Sequence, residues 1–142
     1  MPDDQARLDE TRSWLSKASQ DLRAAAHDLQ ALPPLLEDAL FHSQQAVEKA
    51  LKGFLIWHEE PFRKTHSLEE LGEQCLRIDS SLTPFIDRAV PLTEYAWEFR
   101  YPGEAEEPTL EETNVALAVA NEVYEAVGAR LPAATRPEPP PG

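Results

Sequence analysis

The chain has 142 residues, 42% of them apolar, which suits one domain around one hydrophobic core. Its 26 acidic and 13 basic side chains leave a formal charge of −13, so it repels polyanions at long range, which argues against general binding to DNA, RNA or acidic membranes. A single cysteine, Cys75, rules out an internal disulfide; no window approaches a membrane span and the charged stretch Met1 to Leu15 has no signal-peptide core, so a cytoplasmic protein is expected.

From Asp4 to about Leu32, leucines recur at Leu8, Leu15, Leu22 and Leu29, with Ala18, Ala25 and Leu32 interleaved. This seven-residue repeat predicts a first helix with one long seam. Pro33 and Pro34 interrupt it, and so short a connection sends the second helix back antiparallel. That second helix, Leu35 to about His58, is the most continuously apolar segment. At about 100° per residue, Ala39, Leu40, Ala46, Val47, Ala50, Leu51, Phe54, Leu55, Trp57 and His58 cover an arc of roughly 200°. An arc this wide belongs to a rod packed on several sides.

The remaining arc of the same helix carries His42, Gln45, Lys49 and Lys52, with Glu48 at its margin. After it, Phe62 to His66 forms a basic connector, and Ser67 to Glu70 has the pattern of a capping box opening a third helix with Leu68, Leu71, Cys75, Ile78 and Leu82 on one face. Thr83 and Pro84 suggest the start of a fourth helix running through Phe85, Ile86, Ala89, Val90, Tyr95 and Phe99, kinked at Pro91. Residues 101–108 make an acidic loop. Thr109 to Glu112 is a second capping box, opening a fifth helix with Leu110, Leu117, Ala120, Tyr124, Val127 and Leu131 inward. The last stretch, 132–142, holds five prolines and is expected to be a disordered tail. The expected fold is therefore all-α: an up-and-down four-helix bundle with an additional shorter helix over residues 1–131.

Two readings of the polar stripe compete. Between His42 and His66 four basic residues (Lys49, Lys52, Arg63, Lys64) face three acids, so positive charge concentrates here in an otherwise acidic chain. One reading is a nucleotide or phosphate site in which Lys49, Lys52 and Lys64 act as point charges, Arg100 supplies a bidentate fork and Tyr101 or Trp97 stacks a base. The other is a solvated stripe with a Glu48–Lys52 pair worth a few tenths of a kcal/mol, and Arg100 at a helix end has a similarly plain role against the dipole. Cys75 in an apolar repeat is expected to be a buried thiol. The four histidines show no metal-ligand spacing, so no metal or cofactor is expected.

Three segments together resemble the HEPN domain family. They are Phe41 to Lys52, Lys64 to Leu71, and Phe99-Arg100-Tyr101-Pro102, in that order, and the resemblance spans Trp14 to Leu131. It implies a helical bundle, a homodimer, and pairing with a minimal nucleotidyltransferase in a toxin and antitoxin or similar two-component system. Many members are metal-independent ribonucleases using an arginine followed five to seven residues later by histidine. Here Arg100 matches the arginine, but 105, 106 and 107 are Ala, Glu and Glu, and no other arginine has a histidine at that spacing. The same absence removes the tyrosine-modification pattern of the partner enzyme.

The expectation is a nucleotide-binding or regulatory subunit without ribonuclease activity, with no DNA partner. Its candidate nucleotide site comprises His42, Gln45, Lys49, Lys52, Lys64, His66, Arg100 and Tyr101. A ribonuclease with a relocated histidine, such as His66 across a dimer interface, and a purely protein-binding scaffold are the alternatives.

Overall fold

The structure, a computed structural model, describes residues 4–94 and 107–137. Five α-helices are bounded among these residues: α1 (Asp4–Gln30), α2 (Leu36–Trp57), α3 (Leu68–Ile78), α4 (Thr83–Ala89) and α5 (Leu110–Ala129). Among the described residues there is no strand, so the fold is an all-α helical bundle.

α1 buries Thr11, Leu15, Ala18, Leu22 and Ala25 along one seam, as its repeat predicts, while Leu32, beyond the helix end, is 96% exposed. Its most extensive packing is against α2. The two run antiparallel: Arg7 near the start of α1 donates to the Trp57 carbonyl at the end of α2 at 3.0 Å, and the Leu35 N–H before α2 donates to the Asp28 carbonyl at 2.9 Å. α2 also contacts α3 and α5, which is why it buries thirteen of its residues around a wide arc. Trp57 is only half-buried and His58 is exposed, because the helix stops there and Glu59 turns the chain with a positive φ of 55°.

The connector then returns along α2, so α3 begins beside Gln44 and Glu48. Ser67 caps α3 by accepting the Glu70 N–H at 3.2 Å. The box is only half made: the Ser67 N–H donates to Thr65 Oγ1, and the Glu70 carboxylate accepts from Arg63 Nε at 2.7 Å. Leu68, Leu71 and Cys75 are fully buried; burial pushes the Cys75 thiol up to about 12, which makes it an inert core group. Gly72 lets α4 come close, for a Cβ there would lie 2.6 Å from Ile86 Cγ2.

Thr83 does not cap α4. Asp79 accepts from the Ser81 N–H and hydroxyl and organises a 3-10 turn, Ser80–Leu82, which runs directly into the helix, so Thr83 is already helical and its hydroxyl donates to the Ser80 carbonyl. At Pro91 the helix breaks instead of kinking. Proline has no N–H to continue the ladder, so α4 ends at Ala89 and helical geometry restarts at residue 92.

α5 carries a complete capping box between Thr109 and Glu112, both bonds 3.0 Å. Its inner face is Thr113, Ala116, Ala120, Val123 and Val127, whereas Leu110 is 49% exposed. Small side chains allow close approach to α2, and the larger leucines are displaced to the flank. The segment expected as a tail is placed as far as residue 137. Ala133–Thr135 is a 3-10 turn with Thr135 buried, Arg12 of α1 donates twice to the Ala134 carbonyl, and Arg136 pairs with Glu125 while its guanidinium lies 5.1 Å from the Tyr124 ring. Polar anchors from α1 and α5 supply what the proline-rich composition lacks; residues 138–142 lie outside the described residues.

Candidate functional site

The polar residues of α2 resolve into two clusters, each built around a buried carboxylate. In the first, Asp21 sits on the inner face of α1 between Ala18 and Ala25, with its side chain 10% exposed. Lys49 Nζ lies 2.6 Å from Asp21 Oδ2 and His42 Nδ1 lies 2.8 Å from Oδ1. His42 Nε2 faces Asp38 Oδ2, one turn earlier on α2, at 3.5 Å. Asp28, in the last turn of α1, completes the group, and one ligand atom each from Asp28, Asp38 and His42 lie within 4.8 Å of one another. Spacing among histidines alone could not reveal this convergence, because Asp28 arrives from a different helix.

Asp28 is under stress in this arrangement. Its Oδ2 is buried and finds no donor, and burial, followed by the neighbouring Asp38, pushes the carboxyl up to about 6 from 3.8, with His42 opposing. The groups facing it are Asp38 and His42, with Asp21 behind the imidazole. A pKa raised on folding contributes stability that is complete below the unfolded value and is lost as pH rises through about 6. Asp28→Asn is therefore expected to stabilise the protein by about 0.5–1 kcal/mol near neutral pH, the shift being discounted for solvent screening. The gain should shrink as the pH falls below 6 and vanish below about 3, where the wild-type carboxyl is protonated in both states; thermal melts across that range check it.

The second cluster surrounds Glu48, whose side chain is 4% exposed. Lys52 Nζ, itself on a side chain 8% exposed, donates to Glu48 Oε2 at 3.0 Å, and His66 Nδ1 lies 3.0 Å from Oε1. Gln44 Nε2 and Gln45 Nε2 approach Oε1 at 3.4 and 3.5 Å, and Gln45 also donates to Gln44 Oε1 at 2.7 Å. The Lys52 ammonium lies 5.5 Å from the Trp14 ring and 5.7 Å from the Phe62 ring, so aromatic faces replace part of its lost hydration.

The candidate site residues are thus divided. His42 and Lys49 are held by Asp21; Gln45, Lys52 and His66 gather on Glu48. Lys64 is exposed on the connector. Arg100 and Tyr101, like Trp97, lie outside the described residues. The stripe is not a solvated one: Lys52 is buried and its ion pair is internal. Asp21, Asp28, Gln44, Trp14 and Phe62 were absent from the sequence-derived set. Asp21 left one signal there, a carboxylate three residues after Ala18 and four before Ala25 on the seam of α1.

Two of the motif segments meet at one carboxylate. Phe41 to Lys52 supplies Gln44, Gln45, Glu48 and Lys52, and Lys64 to Leu71 supplies His66 and the Ser67 cap, so these separated stretches are parts of one construction. The family model for the HEPN domain matches residues 11–130. The chain belongs to the HEPN family. No curated protein and no solved structure matches it. In this HEPN domain no helix among the described residues is long and apolar enough to cross a membrane.

Proposed function

We propose that this HEPN protein is a regulatory or nucleotide-binding subunit that works through a nucleotidyltransferase partner, as half of a toxin and antitoxin or similar pair, and does not cleave RNA. It acts as a homodimer. The observation that carries this reading is the internal use of the α2 cations: Lys49 is held by Asp21 and Lys52 by Glu48, and the Nδ1 atoms of His42 and His66 face the same two carboxylates. A satisfied network of this kind builds a fixed surface. It leaves neither α2 lysine free as a phosphate clamp. The missing histidine after Arg100 supports the same conclusion from the sequence.

Any nucleotide contact then falls on the exposed Lys64, on His66 and on Arg100 with Tyr101. Purified protein incubated with RNA is expected to leave it intact, while millimolar ATP, GTP or UTP raises the melting temperature by a degree or more and Lys64→Ala or Arg100→Ala removes the rise. RNA cleavage that disappears in Arg100→Ala would overturn the non-nucleolytic reading. Nucleotide shifts that persist in both variants would overturn the assignment of the contact residues.

A further inference from the structure

We propose that Asp28, Asp38 and His42 bind one divalent transition-metal ion of the zinc type at the junction of α1 and α2. This site is independent of the function proposed above. Three features of the geometry lead to it.

The first is the convergence of acceptors. Asp21 is ringed by Lys49 and by His42 Nδ1, and a carboxylate accepts, so the proton on Nδ1 is the one donated to Asp21. In the neutral imidazole this leaves Nε2 with a lone pair, pointed at Asp38 Oδ2 only 3.5 Å away. One ligand atom each from His42, Asp38 and Asp28 thus gathers around one point, within 4.8 Å of one another. Only a cation or an added proton at that point makes the arrangement favourable.

The second is how the imidazole is held. A carboxylate on the far nitrogen, fixing tautomer and ring orientation, is the outer support that metal-bound histidines use. Asp21 provides it, and Asp21 is itself locked by Lys49. The donors are also held by helices: Asp28 is in the last turn of α1, Asp38 in the first turn of α2, and the Leu35 N–H to Asp28 carbonyl bond pins the turn between them.

The third is an orphaned acceptor: Asp28 Oδ2 is buried and accepts no hydrogen bond among the described residues. The nearby ammonium of Lys49 is engaged at Asp21.

The ligand set is one imidazole nitrogen and two carboxylate oxygens. That mixture favours zinc, manganese or cobalt over magnesium and calcium, which prefer oxygen alone. Bonds of about 2.0–2.2 Å place tetrahedral ligand atoms roughly 3.3–3.6 Å apart, so side-chain rotations of about an ångström bring the trio into range. Asp38 is half exposed, which lets water complete the coordination. Because the ligands come from two helices, the ion binds the folded hairpin and not the unfolded chain, and clamps α1 to α2.

Chelator-treated full-length protein titrated with zinc chloride in a calorimeter should bind one equivalent, with a rise in melting temperature of several degrees. Cobalt substitution should give visible d–d absorption. Asp38→Asn, at a half-exposed position that keeps the fold, should weaken zinc by about tenfold or more, and Asp28→Asn should do the same while leaving the metal-free protein at least as stable. Affinity should climb as pH rises through the range in which the ligands lose protons. Absence of binding at about 100 μM zinc would overturn the proposal. So would zinc binding unchanged in both variants, which would assign the ion to other surface carboxylates. An imidazolium signature for His42 in nitrogen NMR at neutral pH, unaltered by zinc, would show that a proton holds the position instead.

Discussion

Glu48→Ala should lower the free energy of unfolding by about 3–5 kcal/mol, measured as a shift in the urea midpoint, because it leaves the Lys52 ammonium buried and unpaired. The Lys52 side chain is 8% exposed and its carboxylate partner among the described residues is Glu48, with the Trp14 and Phe62 rings offering only a partial substitute. Gln44 and His66 lose an acceptor in the same step. On a domain of ordinary stability, roughly 5–15 kcal/mol, that is a large fraction of the total. The energetic worth of the pair is a separate matter. Replacing both partners, Glu48→Met with Lys52→Met, should recover most of the loss, since desolvation offsets much of the Coulomb attraction between buried ions. A double variant as unstable as the single one would show that the Gln44 and His66 bonds, and not the stranded ammonium, set the cost.

Phe54→Ala is expected to be about as damaging, at roughly 3–5 kcal/mol. Phe54 is 1% exposed on the central helix and its ring centroid lies 4.5 Å from that of His58, the two rings tilted by 52°. Helices on several sides of α2 resist collapse into the vacated volume, so the loss of transfer energy is joined by a cavity term. Phe54→Leu, which keeps most of the volume, should cost under about 1.5 kcal/mol. Denaturant titration of the two variants separates cavity formation from loss of the aromatic contact.

Much that is local was visible in the sequence, although the local signal at Thr83 is not a helix cap. Ser67 and Thr109 announced their helix starts because a cap bond spans three residues, and the α1 seam showed itself because one repeat covers the whole helix. Overlapping arcs were harder. On α5 the larger Leu110 drew the inner face toward itself, while the observed face runs through Thr113 and Ala116, where close approach to α2 selects small side chains. The two clusters lay further out of reach. Lys49 and Asp21 are separated by 28 positions, and His66 and Glu48 by 18, so of these pairs only Glu48 with Lys52 could be read within a single helix. The same long range hid Asp28 from any search based on histidine spacing. Membership in the HEPN family was legible from motif order, and the family model over residues 11–130 agrees with it.

The tight junction between α1 and α2 also bears on how the molecule assembles. A hairpin whose halves are joined by a handful of residues closes its loop at small entropic expense, and it here brings together the most extensively packed pair of helices among the described residues. α5, by contrast, must find α2 across more than fifty intervening positions. Substitutions along the first hairpin, Leu15 or Leu22 among them, are thus expected to slow refolding, while those on α5, such as Val123, hasten unfolding.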